Sequence, residues 1–235
     1  NLRPGHTLTT TLAFFSRRID AANLNTFNPV GVTPDYRLLG YNVAAVDRLT
    51  LSATSLLESN VSVSFYHARV LGEGPQPMEL TPGGNQGNFF NTQDRRTPVY
   101  QWSETFQFVG HAAGEHLMSA GFDLSNASYT GTSLSRPVLV RRADGTLSQR
   151  FDFGGPTSQR VSGTDAAAFV QDRWRIAPWL MLEPGLRIDR DGVLKHVGAS
   201  PRLGFVIAVL PRDIGVFRGG AGMFYERTPL NVGAF

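Results

Sequence analysis

The chain contains no cysteine in 235 residues, which removes disulfide frameworks, thiol nucleophiles and thiolate metal sites from consideration. Charge is also scarce. Charged residues make up 17% of the chain, against about 25% in average soluble domains, so the surface has little with which to hold itself in water. No run approaches the roughly 18 to 20 apolar residues that a spanning helix needs. A helical membrane protein is therefore excluded, although 41% of the residues are hydrophobic and the mean hydropathy is -0.14. Net charge is +3, and paired arginines are dispersed as Arg17-Arg18, Arg95-Arg96 and Arg141-Arg142 rather than gathered in one basic run, which argues against nucleic acid as a partner. An initiator methionine and an apolar leader are missing as well. Opening at Asn1 and stopping at Phe235, the chain is expected to be a fragment or a processed product.

What is present is alternation. Short stretches in which apolar and polar residues alternate recur down the whole length, each about ten residues long, while helical periodicity is nearly absent. In Leu180–Arg190, Leu180, Leu182, Pro184, Leu186 and Ile188 fall in one parity and Glu183, Gly185, Arg187 and Asp189 in the other. Residues 216–227 repeat this, with Phe217, Gly219, Ala221, Met223 and Tyr225 against Arg218, Gly220, Gly222 and Glu226; Leu203, Phe205, Ile207 and Val209 do so beside Arg202 and Gly204. Earlier stretches around Leu12, Leu51, Val63, Phe106 and Met118 carry the pattern less sharply, and between Thr164 and Ile176 it is mixed, with Asp172 among apolar residues and Phe169 opposite them. About nine strands are predicted in all.

The connections alternate between tight turns, near residues 56–60, 111–115, 177–179 and 211–215, and long Gly-, Pro-, Asn- and Thr-rich loops over 19–44, 72–98 and 131–163, with a shorter one at 191–199. The long loops are expected to be irregular, apart from a small hairpin turning at Asp144-Gly145. A meander with short turns at one end and long loops at the other is the pattern of an outer-membrane barrel. In hydrocarbon a sheet must close to pair its backbone, and each strand must show lipid one row and water the other. The predicted fold is thus all-β: part of an antiparallel up-and-down transmembrane β-barrel, one barrel segment over 1–235. Leu180, Leu182, Leu186, Ile188, Leu203, Phe205, Ile207, Phe217, Met223 and Tyr225 are lipid-facing candidates. Glu183, Arg187, Asp189, Arg202, Arg218 and Glu226 are lumen-facing candidates. Trp102, Trp174 and Trp179 suit the interfacial girdles, although ordinary core aromatics would look the same taken singly.

Site chemistry is sparse. The five histidines are scattered without ligand spacing, so His111 and His116 around a predicted turn read as solvated residues, not a metal site. Asp189 and Asp191 beside Arg187 and Arg190 read as neighbouring opposite charges before they read as an acid/base pair. Gly219-Gly220-Ala221-Gly222 lacks the following helix that a phosphate-cradling loop requires. No nucleophile elbow occurs. Asn60-Val61-Ser62 and Asn126-Ala127-Ser128 match a glycosylation acceptor, a triplet common by chance. Neither an enzymatic centre nor a cofactor is expected.

Phe169-Val170-Gln171-Asp172-Arg173-Trp174-Arg175, then Leu182-Glu183-Pro184-Gly185-Leu186-Arg187-Ile188-Asp189, Ser200-Pro201-Arg202-Leu203-Gly204-Phe205 and Arg218 through Arg227 together resemble successive strands of TonB-dependent receptor barrels, especially the kind that carries a carboxypeptidase-regulatory-like domain. Leu49-Thr50-Leu51-Ser52 and Leu117 to Asp123 agree more loosely. The resemblance implies ligand binding and energised import across the bacterial outer membrane, through a barrel of about 22 strands with a plug inside. It implies as partners outer-membrane lipid, the remaining strands and plug, the TonB complex reached through a region outside this chain, and an unidentified small-molecule, glycan or peptide ligand. Neither plug nor TonB box is recognisable here. The competing reading is a soluble β-sandwich that binds carbohydrate or serves adhesion, whose apolar rows pack against each other.

Overall fold

The structure, a computed structural model, describes residues 4–209 and 215–230. Its strands are, in chain order, β1 (His6–Ile19), β2 (Asp35–Ser52), β3 (Ser55–Leu71), β4 (Met78–Leu80), β5 (Gln86–Gly87), β6 (Asn91–His111), β7 (Glu115–Ser135), β8 (Val138–Arg141), β9 (Leu147–Phe151), β10 (Ser158–Ala177), β11 (Leu180–Arg190), β12 (Val197–Val209) and β13 (Gly215–Gly222). Nine of them form one sheet in the order β1-β2-β3-β6-β7-β10-β11-β12-β13, antiparallel at every step. This is the predicted meander of nine strands. β4, β5, β8 and β9 are excursions from it, made by two of the long connections.

At one end of the sheet the turns are tight. Ser52 pairs with Ser55, His111 with Glu115, and Ala177 with Leu180. The first of these corrects the sequence reading, because residues 56–60 lie inside β3 and the reversal falls at Ala53-Thr54. The predicted turn at 211–215 falls almost wholly outside the described residues. At the other end the strands run further than the alternation suggests. β6 and β7 each have 21 residues and β10 has 20, so they reach into segments read as loop. Residues such as Asn91 to Arg96 and Asn126 to Thr132 are polar on both faces. Without an apolar row there is no period-2 signal, but the backbone ladder continues regardless.

The sheet has one layer. Among the described residues the buried apolar side chains are Ala22, Val32, Val138 and Ala167, of which only Ala167 lies in the nine-stranded sheet, whereas Phe14 is 71% exposed and Phe217 66%. A sandwich would bury such residues between two sheets. Here one face carries a continuous exposed set that includes Leu12, Phe14, Val43, Val61, Phe106, Met118, Val170, Leu186, Leu203 and Phe217. Registers such as Leu12↔Val43↔Val63 and Leu182↔Phe205↔Gly219 keep that set in one plane. The reverse face is mostly polar, with Phe15, Tyr66 and Phe169 among its exceptions.

Candidate functional site

The polar face is built by rows of cross-strand partners, which necessarily share a side of the sheet. Asp123, Ala167, Asp189 and Gly198 form one such row across β7, β10, β11 and β12. Ala167 leaves room above itself, and Arg187 of β11 reaches over it. Its Nη1 donates to Asp123 Oδ2 at 2.7 Å and its Nε to Asp189 Oδ1 at 2.9 Å. Arg173 Nε donates to Glu183 Oε1 at 2.7 Å, and Arg48 Nε to Glu58 Oε2 at 2.5 Å. Gln107, Ser119, Gln171, Arg173, Glu183 and Arg202 border an open cavity of about 550 Å³. The arrangement is a hydrogen-bonding wall with many of its charges paired: it can hold water or a polar protein surface.

After Gly222 the chain leaves the sheet, and here the sequence reading is corrected. Residues 216–227 do not form one strand; β13 ends at Gly222, so Met223, Tyr225 and Glu226 lie beyond it. Tyr225 packs its ring on Gly198, where a Cβ would stand 2.9 Å from it, which puts Tyr225 over the polar face rather than among the apolar row. The segment is pinned by Asp191, whose carboxylate accepts the Thr228 amide at 2.9 Å and the Val193 and Leu194 amides at 2.7 Å each. Hydrogen bonding from Thr228, side chain and backbone, holds the Asp191 carboxyl well below the usual carboxylate range. Arg227 then borders a space of about 200 Å³ together with Asn60, Ser62, Gln101, Ser103, Asp123 and Ser125. A segment leaving β13 can meet β3 and β6 only if the polar face is concave.

The register places the other predicted residues without ambiguity. Leu180, Leu182, Leu186 and Ile188 share the apolar face with Leu203, Phe205, Ile207 and Phe217; Glu183, Arg187, Asp189, Arg202 and Arg218 share the polar one. Trp102 and Trp174 stand on the apolar face opposite Leu124 and Leu182, and Trp179 sits in the β10–β11 turn. Sequence reasoning noticed Asp172 as a break in the alternation and missed other carboxylates on the apolar face, Asp47 and Glu104 among them. His6 Nε2 lies 2.6 Å from Asp47 Oδ1, and His116 Nδ1 2.6 Å from Asp172 Oδ2. Glu104 accepts from Ser59 Oγ at 2.7 Å and Trp102 Nε1 at 3.2 Å. The signal was present as breaks in the alternation, the one at Asp172 among them.

Beyond the loop-bearing end stands the second sheet, ordered β5-β4-β8-β9. It joins two connections: β4 from the β3–β6 loop runs parallel to β8 from the β7–β10 loop. The β8–β9 hairpin turns at Asp144-Gly145 as the sequence predicts; Gly145 has φ +83°, a conformation suited to glycine. A two-pronged ion pair ties the loops, Arg141 Nε and Nη2 to Glu79 Oε2 and Oε1 at 2.6 and 2.7 Å, and the guanidinium holds the Glu79 carboxyl below its ordinary range. Arg136 donates to Gly74 O and Phe89 O. The loop after β1 joins through the Asn85 amide on Phe27 O at 2.7 Å. Phe90 stacks between Phe89 and Phe153, ring centroids 5.0 and 5.2 Å apart.

Comparison with known proteins agrees with this architecture. The family model described as TonB dependent receptor-like, beta-barrel matches residues 1–234. No curated protein matches the sequence. Among solved structures, the outer membrane transporter YddB from Escherichia coli superposes with a TM-score of 0.64 at 17% identity, over 97% of this chain and 30% of that one. FpvA of P. aeruginosa, solved bound to heterologous pyoverdines, does so with a TM-score of 0.62 at 13% identity, over 89% of this chain and 32% of the other. The chain thus spans about a third of the length of these structures and shares the fold of their barrel walls. With the family model covering nearly every residue of a nine-stranded wall, the chain belongs to the TonB dependent receptor-like β-barrel family.

Proposed function

We propose that the chain is a segment of the wall of a bacterial outer-membrane receptor that binds a ligand and takes part in its TonB-dependent uptake. The observation that carries this reading is the two-faced single layer: an exposed apolar face and a concave polar face, bearing paired charges, on the same nine strands. On this reading Leu180, Leu182, Leu186, Ile188, Leu203, Phe205, Ile207 and Phe217 face lipid. Glu183, Arg187, Asp189, Arg202 and Arg218 line the lumen against the plug, and Trp174 and Trp179 sit in the girdle at the tight-turn end, whereas Trp102, the third interfacial candidate, lies eight residues along β6 from Gly110, which shares the Trp174 row. The 21-residue strands reach roughly twice the ~25 Å apolar band even when tilted. They therefore carry the second sheet clear of the membrane as a platform for capturing a small molecule, glycan or peptide. Energy transfer would come from the TonB complex acting on the plug, and no chemical step is assigned to the wall.

The test is fractionation of the protein expressed from its complete native gene, with gel mobility before and after boiling. Recovery in the outer membrane with a mobility shift on boiling is the expected result. A soluble product of unchanged mobility would favour the sandwich that binds carbohydrate or serves adhesion.

A further inference from the structure

Arginines that are dispersed in sequence come together on the apolar face at its loop-bearing end. Arg18 of β1 is the cross-strand partner of Arg37 of β2, which is the partner of Arg69 of β3. Arg96 of β6 stands opposite His67 of β3, one row nearer the tight turns. Three like charges in direct register repel, so this row costs stability unless anions answer it. Asp20, Asp35 and Asp94 answer it in part. Arg18 and Arg37 are well paired, with nitrogens 2.9 and 2.7 Å from Asp20 and a further Arg37 contact of 2.8 Å to Asp35. Arg69 and Arg96 are not. Both share Asp94 with His67, at 3.6 and 3.5 Å against 3.0 Å for the histidine. Those distances exceed the about 2.7–2.9 Å of a charge-assisted hydrogen bond. Four guanidinium groups thus face three carboxylates, and two of the forks have donors to spare.

Three of these arginines shape a groove, with Arg96 beside it as the cross-strand partner of His67. Ser16, Arg18, Arg37, Leu39, His67 and Arg69 line an open hollow of about 330 Å³ on the outside of the sheet. Below it along the same rows, towards the tight turns, run Phe14, Tyr41 and Phe65, with Phe14 and Tyr41 centroids 6.4 Å apart and Tyr41 stacked on Phe65 at 5.5 Å. Leu12, Val43 and Val63 follow. A cationic rim opening directly onto an apolar wall is complementary to an amphiphile with an anionic head, and the planar guanidinium fork matches phosphate oxygens.

We propose that Arg69 and Arg96, with Arg18 and His67 beside them, bind the phosphate group of a phosphorylated lipid in the leaflet on the loop side, whose acyl chains lie along Leu39, Phe14 and Leu12. This rests on the reading that the apolar face meets lipid.

The experiment uses the complete receptor, purified in a phosphate-free uncharged detergent, with diphosphorylated lipid A as the probe. Binding is read by lipid-dependent rise of the unfolding temperature and by native mass spectrometry. R69Q/R96Q is expected to weaken binding about tenfold or more, from loss of charge-assisted contacts, and R69K/R96K to recover part of it. Fully dephosphorylated lipid A and inorganic phosphate at the same concentration are expected to give no shift. Equal binding by the wild type and R69Q/R96Q, each with its boiling-dependent mobility intact, would overturn the inference and leave the barrel reading standing. An equal response to inorganic phosphate would reduce the site to a surface for free anions. Recovery of the receptor as a soluble protein would overturn the underlying reading and this inference with it.

Discussion

At the scale of residues, the informative side chains are those that break the pattern around them. Asp172 stands in an apolar row between Val170 and Trp174, and its acceptable partner is His116 on the neighbouring strand, over which the Trp174 ring stacks at 5.3 Å. If that row faces lipid, as proposed, a carboxylate in it is costly unless paired. Replacing His116 by leucine therefore lowers the urea midpoint of the receptor refolded in micelles, and the double variant H116L/D172L regains most of the loss. A double variant no better than H116L would contradict the pairing. Asp191 sets up a pH effect outside the membrane. Its carboxyl is depressed by hydrogen bonding from Thr228 first, with help from the Leu194 and Val193 amides. A depressed carboxyl contributes stability above its unfolded value of about 3.9 and loses it as pH falls through the folded one. Protection of residues 223–230 from hydrogen exchange, taken relative to the intrinsic rate at each pH, is thus expected to be high at neutral pH and to fall increasingly as pH drops below about 4; in D191N it is low throughout. The sequence showed Asp191 only as one of a group of neighbouring charges, because Thr228, the donor that pins the last segment to it, is brought there by the chain reversal after β13.

At the scale of elements, legibility follows the apolar face. β11 is found at Leu180–Arg190, the very span its alternation marks. β10 is not legible in the same way, because Phe169 turns to the polar face opposite Arg187 while Asp172 takes an apolar position. The outer thirds of β6, β7 and β10 were invisible for want of an apolar row, and β4 and β5 because strands of three and two residues hold through partners in another loop. The Asp144-Gly145 turn was visible because its chemistry is local. The Glu79–Arg141 pair links the loops of the second sheet together with the β4–β8 ladder and Arg136. E79A is expected to make residues 138–151 markedly more sensitive to limited proteolysis, with heat-modifiable mobility unchanged. Unaltered cleavage would show that the ladder and Arg136 suffice without the ion pair.

At the scale of the whole molecule, β1 and β13 are the two edge strands of the nine-stranded sheet among the described residues. Unpaired edges within a membrane leave backbone groups unsatisfied, so the fold is complete only when the remaining strands close the wall. The arginine row at the loop-bearing end belongs to this scale as well. Arg18, Arg37, Arg69 and Arg96 are far apart in the chain, and only the meander brings them onto one margin. The central claim is that one face meets lipid and the other lines the lumen. Because this chain has no cysteine, single cysteines at 186, 187, 188 and 189 report cleanly once any elsewhere in the complete receptor are removed. The decisive measurement is the accessibility of nitroxides at these four sites, in the receptor reconstituted in bilayers, to oxygen and to a water-soluble nickel chelate. The account predicts strict alternation, with 186 and 188 favouring oxygen and 187 and 189 the chelate. Uniform access to the chelate, or alternation of the opposite phase, would contradict it.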